Sequence, residues 1–124
     1  MPSEFQLIDA FVRASGVAGR APAGPGDDAA VLPRSPRPLC LTVDALVEGV
    51  HFRRSTSTLG DVGHKALAVN LSDLAAMGAR PQWCLVALGV PSGFGLAEAR
   101  QLGRGLGALA RQSRGVMQVI AAKP

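Results

Sequence analysis

Aromatic residues are scarce, with four Phe, one Trp and no Tyr in 124 residues. So few rings cannot furnish the stacking platform on which proteins hold single-stranded nucleic acid. Cysteine is scarcer still. Cys40 and Cys84 match no disulfide framework and no zinc spacing, and both sit in apolar, strand-like runs expected to bury them as reduced thiols. No apolar run approaches the roughly 18 residues of a membrane span, and no basic region followed by an apolar one marks a secretory leader. The expectation is a cytoplasmic protein without a membrane partner. Lysine is limited to Lys65 and Lys123, so eleven of the thirteen basic residues are arginine, scattered along the chain. A net charge of +4 and a pI of about 10.0 therefore form no continuous basic stripe, and no nucleic-acid partner is expected.

What is abundant is apolar. Hydrophobic residues make up 48% of the chain and mean hydropathy is +0.23, enough for one domain with a genuine core. Ser3-Glu4-Phe5-Gln6 fits a capping box ahead of an apolar stripe, predicting a helix over residues 3–14. Residues 16–26 are rich in Gly, Ala and Pro and read as a loop. Residues 29–32 and 39–44 read as strands joined by a Pro-punctuated turn, a hairpin. Residues 82–90 read as a buried strand, 96–114 as an amphipathic helix ended by Gly115, and 116–121 as a final strand. Strands followed by helices that cover one face imply an α+β sandwich.

The centre of the sequence is residues 63–79, which read as one buried helix because Ala66, Leu67, Val69, Leu71, Leu74, Ala75 and Met77 cover most of its circumference. Gly78 supplies the left-handed residue that ends it. Asn70, Ser72 and Asp73 interrupt the apolar surface. Such groups either satisfy nearby backbone or hold a ligand.

Asp28 and Asp44 lie at the ends of the two expected strands, so chain reversal can bring them toward Asp73. Three converging carboxylates repel one another unless cations lie between them, and Mg²⁺ suits such a site because it takes few carboxylates and completes its shell with water and phosphate oxygens. Thr42, on the same side of the strand as Asp44, offers a hydroxyl. His51 reads either as a core-edge histidine with a backbone partner or as a site residue. His64 and Lys65 are expected to face solvent. Gly24-Pro25-Gly26-Asp27-Asp28 is not a Walker A loop, and no nucleophile elbow is present, so no catalytic protein nucleophile or base is assigned.

These stretches together resemble the N-terminal domain of the thiamine-monophosphate kinase family. Glu4-Phe5-Gln6-Leu7-Ile8 matches the family's opening helix, Gly26-Asp27-Asp28-Ala29-Ala30 its Gly-Asp-Asp-x-Ala motif, and residues 43–52 its Thr-Asp-x-Leu-Val-x-Gly-x-His-Phe segment. Residues 65–79 match the family's Lys-Ala-Leu-Ala-Val-Asn-Leu-Ser-Asp-Leu-Ala-Ala-Met-Gly-Ala throughout. The resemblance implies an α+β fold like the N-terminal domain of aminoimidazole ribonucleotide synthetase, with helices over one face of a mixed sheet and a homodimer built across a shared barrel. It implies ATP as co-substrate and phosphorylation of thiamine monophosphate to thiamine diphosphate with several Mg²⁺ ions. Carried over position by position, it makes Asp28, Thr42, Asp44 and Asp73 metal ligands and has His51 touch the thiamine monophosphate substrate. Asp27 is the weaker member of its pair, and no ATP-contacting residue is assigned.

Two departures stand out. Val43 occupies a position where the family often has Thr, and where the family continues with Gly-Gly-Asp or Gly-Gly-Asn and a second domain, this sequence reads Ala121-Ala122-Lys123-Pro124. The expectation is residues 1–124 as one metal- and substrate-binding, dimerising domain without turnover of its own. The alternatives are a catalytically inactive dimerisation module and another ATP-using enzyme of the same superfamily, such as aminoimidazole ribonucleotide synthetase, selenophosphate synthetase or the hydrogenase-maturation carbamoyl dehydratase.

Overall fold

Helix α1 runs from Glu4–Ser15 and begins as its capping box requires: the Ser3 hydroxyl accepts from the Gln6 amide at 3.3 Å, and the Gln6 side chain accepts from the Ser3 amide at 2.8 Å. The computed structural model to which it belongs describes residues 1–17 and 27–113 and the backbone of 118–122. Helix α2 spans Leu59–Ala76, strand β1 Trp83–Ala87, helix α3 Leu96–Gln112 and strand β2 Gln118–Ala122. The two strands pair in parallel, with Trp83 opposite Gln118 and Ala87 opposite Ala122. A parallel pair needs a crossover, and α3 is that crossover.

Helix α3 packs against both α1 and α2. Its inward residues Ala99, Leu102, Leu106 and Ala110 form the core with Phe11 and Val12 of α1, Leu59, Val62 and Leu67 of α2, and Phe94. Cys84 and Val86 of β1 pack against this core, whereas Leu85 on the opposite face is exposed. The helices approach to backbone contact because small residues stand at both crossings: a Cβ on Gly107 would collide with the Ser15 carbonyl, and one on Gly63 with the Leu102 carbonyl. Arg111 then closes the α1 end, its guanidinium donating to the Ser15 carbonyl at 2.7 Å, where a cation suits the negative pole of the helix.

Several expectations change. The central helix starts four residues earlier than its apolar pattern implies, because Thr58 and Asp61 form a capping box ahead of Gly63. It is also not buried throughout. Leu59, Val62, Gly63 and Leu67 are inside, but Ser72, Asp73, Ala75, Ala76 and Met77 are exposed, Met77 by 73%. The hairpin does not form: residues 27–58 contain no continuous strand. Pro33, Pro36 and Pro38 remove ladder donors around the expected turn, and a two-stranded hairpin is marginal without a surface to pack on. Leu41 and Val43 stand 85% and 90% exposed. Cys40 shares that exposure and is not a core residue. Only Cys84 keeps the expected character, with burial pushing its thiol up to about 11. Most of the expected 16–26 loop, and the Gly115 helix end, lie outside the described residues.

Candidate metal and phosphate site

Helix α2 organises the site from its solvent side. Its exposed C-terminal half carries Asp73, and Gly78, in the left-handed region at φ 66°, ends it with its amide on the Ala75 carbonyl at 3.0 Å. The extended segment through residues 39–44 reaches Asp73 through Thr42, whose hydroxyl donates to the Asp73 carboxylate at 3.4 Å. That contact joins residues 31 positions apart. It is long for a hydroxyl–carboxylate hydrogen bond. Two cis oxygens on one Mg²⁺ at about 2.1 Å stand roughly 3.0 Å apart, so the pair has room to share a cation with little adjustment.

The remaining candidates are distributed differently. Asp28 and Asp44 are exposed, and among the described residues no three His, Cys, Asp or Glu side chains lie close enough to hold a metal. The structure thus brings Thr42 and Asp73 together and does not gather Asp28, Asp44 and Asp73 into one cluster. A hydroxyl and a carboxylate, both oxygen donors, fit a Mg²⁺ ion whose other ligands are water and phosphate. Asp27 takes part in an interaction of its own.

His51 sits in a tight turn over residues 47–52 that is pegged to the core on either side by Leu46 and Phe52. The His51 amide donates to the Val47 carbonyl at 2.8 Å, the Val47 amide donates back to Nδ1 of the His51 ring at 3.0 Å, and Gly49, at φ 85°, turns its amide onto the Phe52 carbonyl at 2.8 Å. A ring nitrogen that accepts from a backbone amide carries no proton, so the neutral ring bears its proton on Nε2. Nε2 has no partner among the described residues and the side chain is exposed. It is a hydrogen-bond donor available to an anion.

Lys65 is exposed as the sequence suggests, but its ammonium also donates to the His51 carbonyl. Nothing in the sequence marks that bond, since the partners are 14 residues apart and one of them is backbone. His64 is exposed as expected. Asn70, on α2 one turn before Asp73, donates from Nδ2 to the Ala66 carbonyl at 2.9 Å, and its buried Oδ1 has no partner among the described residues. At the first turn of α3, Arg54 pairs with Glu98 at 2.8 Å, which anchors the polar lead-in to α2. Glu98 also accepts from the Gly95 amide at 2.6 Å, and that bond together with Arg54 holds its carboxyl below the usual range. No helix of the described residues is long and apolar enough to cross a membrane.

Known proteins resemble this chain in sequence and in fold. The thiamine-monophosphate kinase of Bacillus subtilis (strain 168) is 39% identical over 109 residues, which cover 87% of this chain and 34% of that kinase. That of Mycobacterium tuberculosis (strain ATCC 25618 / H37Rv) is 40% identical over 103 residues, covering 83% and 31%. Among solved structures, the crystal structure of thiamine-monophosphate kinase from Stenotrophomonas maltophilia K279a superposes with a TM-score of 0.75 at 42% identity, covering 98% of this chain and 39% of that one. The chain spans about a third of the length of the curated relatives it matches. Residues 26–119 match the family described as AIR synthase related protein, N-terminal domain, and this stretch includes Asp28, Thr42, Asp44, His51 and Asp73. The chain belongs to the AIR synthase related protein family, as its N-terminal domain.

Proposed function

We propose that this chain is the metal- and substrate-phosphate-binding portion of a thiamine-monophosphate kinase, in which ATP phosphorylates thiamine monophosphate to thiamine diphosphate. The observation that carries the reading is that α2 carries both Asp73, paired with Thr42, and Lys65, which ties down the His51 turn. Relatives bearing that name over most of this chain's length support it.

Phosphoryl transfer between two phosphates requires alignment and charge neutralisation more than a protein nucleophile. An oxygen of the thiamine monophosphate phosphate attacks the γ-phosphorus of ATP, and the bond to the bridging oxygen of ADP breaks. His51 Nε2–H donates to the acceptor phosphate and fixes its orientation. Asp73 and Thr42 would hold Mg²⁺, with Asp28 and Asp44 as candidate further ligands. When bound there, Mg²⁺ would supply neutralisation of the phosphate charge that otherwise repels the attacking oxygen.

The exposed apolar side chains of Leu41, Val43, Val50 and Met77 support the companion proposal that a second copy covers them. In that assembly residues 29–32 and 39–44 gain their ladder partners and complete the mixed sheet of the sandwich. The 124 residues alone are proposed to bind without turning over, because they span only a third of the relatives. The test is a coupled assay for thiamine diphosphate run beside a binding titration. Mg²⁺-dependent binding of thiamine monophosphate without turnover supports the reading, and absence of binding overturns it.

A further inference from the structure

Every hydrogen-bonding group of His51 except one is engaged within the chain. The amide donates to Val47, the carbonyl accepts from Lys65, and Nδ1 accepts from the Val47 amide. Only Nε2 remains. Leu46 and Phe52 hold the two ends of the turn by apolar packing and hydrogen bonds within residues 47–52 shape it, but none of those bonds ties the turn to a neighbouring helix. The Lys65 ammonium makes that tie, reaching the His51 carbonyl from α2, the helix that also carries Asp73.

We propose that Lys65 is a positioning residue: by fastening the His51 carbonyl to α2 it holds the His51 ring in one tautomer and one orientation, with Nε2–H presented to a phosphate on the same rigid frame as Asp73. The proposal rests on the phosphate-binding reading for its purpose but not for its geometry. Lys65 has no carboxylate partner among the described residues, so its charge is not engaged elsewhere. A flexible lysine loses side-chain entropy in making this bond. In exchange the turn enters the site already ordered, which lowers the cost of binding an anion there.

The test is long-range ¹⁵N–¹H NMR of the His51 ring in the full 124-residue chain and in Lys65→Met and Lys65→Arg, together with thermal melts and titrations with thiamine monophosphate and with inorganic phosphate. Lys65→Met is expected to move the ring from a single Nε2–H tautomer to an averaged mixture, with little change in melting temperature because Lys65 is exposed. Affinity for the phosphate ligands is expected to fall roughly tenfold, the loss that removal of an orienting partner commonly causes. Lys65→Arg should restore the ring signature. An unchanged His51 ring in Lys65→Met overturns the proposal, whatever the ligands do. A ring that shifts while no variant, nor the parent chain, binds phosphate upholds the positioning role and overturns the phosphate-binding reading instead.

Discussion

The hydroxyl of Thr42 lies 3.4 Å from the carboxylate of Asp73, bridging an extended segment and the exposed end of α2. Replacing Asp73 by Asn removes the charge and keeps the shape. Because Asp73 is exposed, stability should change by no more than about 0.5 kcal/mol, while Mg²⁺ affinity should drop. Calorimetric titration of Asp73→Asn with Mg²⁺ checks this, and an isotherm equal to that of the parent chain removes Asp73 from the metal site.

Packing makes a separate demand at the α1–α3 crossing. Ala is ordinarily the better helix former by about 1 kcal/mol, yet Gly107→Ala should destabilise, because the added Cβ meets the Ser15 backbone, which cannot swing aside. A loss of about 1–3 kcal/mol is expected from such overpacking. Gly89, where an added Cβ meets nothing, serves as the control, and Gly89→Ala should leave the urea midpoint nearly unchanged.

Both crossings were illegible in the sequence, which shows the apolar stripe of Leu102, Leu106 and Leu109 but not that the glycines between them lie under neighbouring backbones. The capping box of Ser3 and Gln6, the α3 stripe and the apolar strand at β1 were readable because each signal is local. The start of α2 was obscured because Gly60 looks like a breaker and the Thr58–Asp61 capping box stands ahead of the apolar run. The absent hairpin at residues 29–44 follows from the opposite cause: its alternation is real, but a strand needs a partner that one chain's local pattern does not supply. Of the proposed site residues, Asp73, Thr42 and His51 were nameable from residue type and resemblance, and the structure brings the first two together. Lys65 was not, because a side chain bonded to a distant carbonyl leaves no pattern.

Acid should weaken the fold through two helix caps. Backbone and side-chain bonds from Thr58 hold the Asp61 carboxyl below its ordinary value of 3.8, and the Gly95 amide with Arg54 holds Glu98 below 4.5. A carboxylate with a depressed folded pKa stabilises fully above its unfolded value and loses that contribution as pH falls through the folded one. Melting temperature should therefore hold steady above about pH 5 and decline below about pH 4. Glu98→Gln should melt lower at neutral pH and show a shallower acid decline. Parallel curves for the two proteins would refute the cap assignment.

Self-association is testable without ligand. Val43 is almost fully exposed, so Val43→Asp costs the isolated chain little. If a second copy covers this segment, sedimentation should show the parent chain dimerising with concentration and Val43→Asp remaining monomeric. Identical sedimentation of the two would contradict that placement.

The most direct test of the central claim uses Mn²⁺ as a paramagnetic stand-in for Mg²⁺ and follows the ³¹P resonance of thiamine monophosphate. With the parent chain, Mn²⁺ should broaden that resonance well beyond its effect in free solution, and both Asp73→Asn and His51→Ala should relieve the broadening. Broadening that is no greater with protein than without it, or that persists equally in both variants, would contradict a metal and phosphate site built on α2.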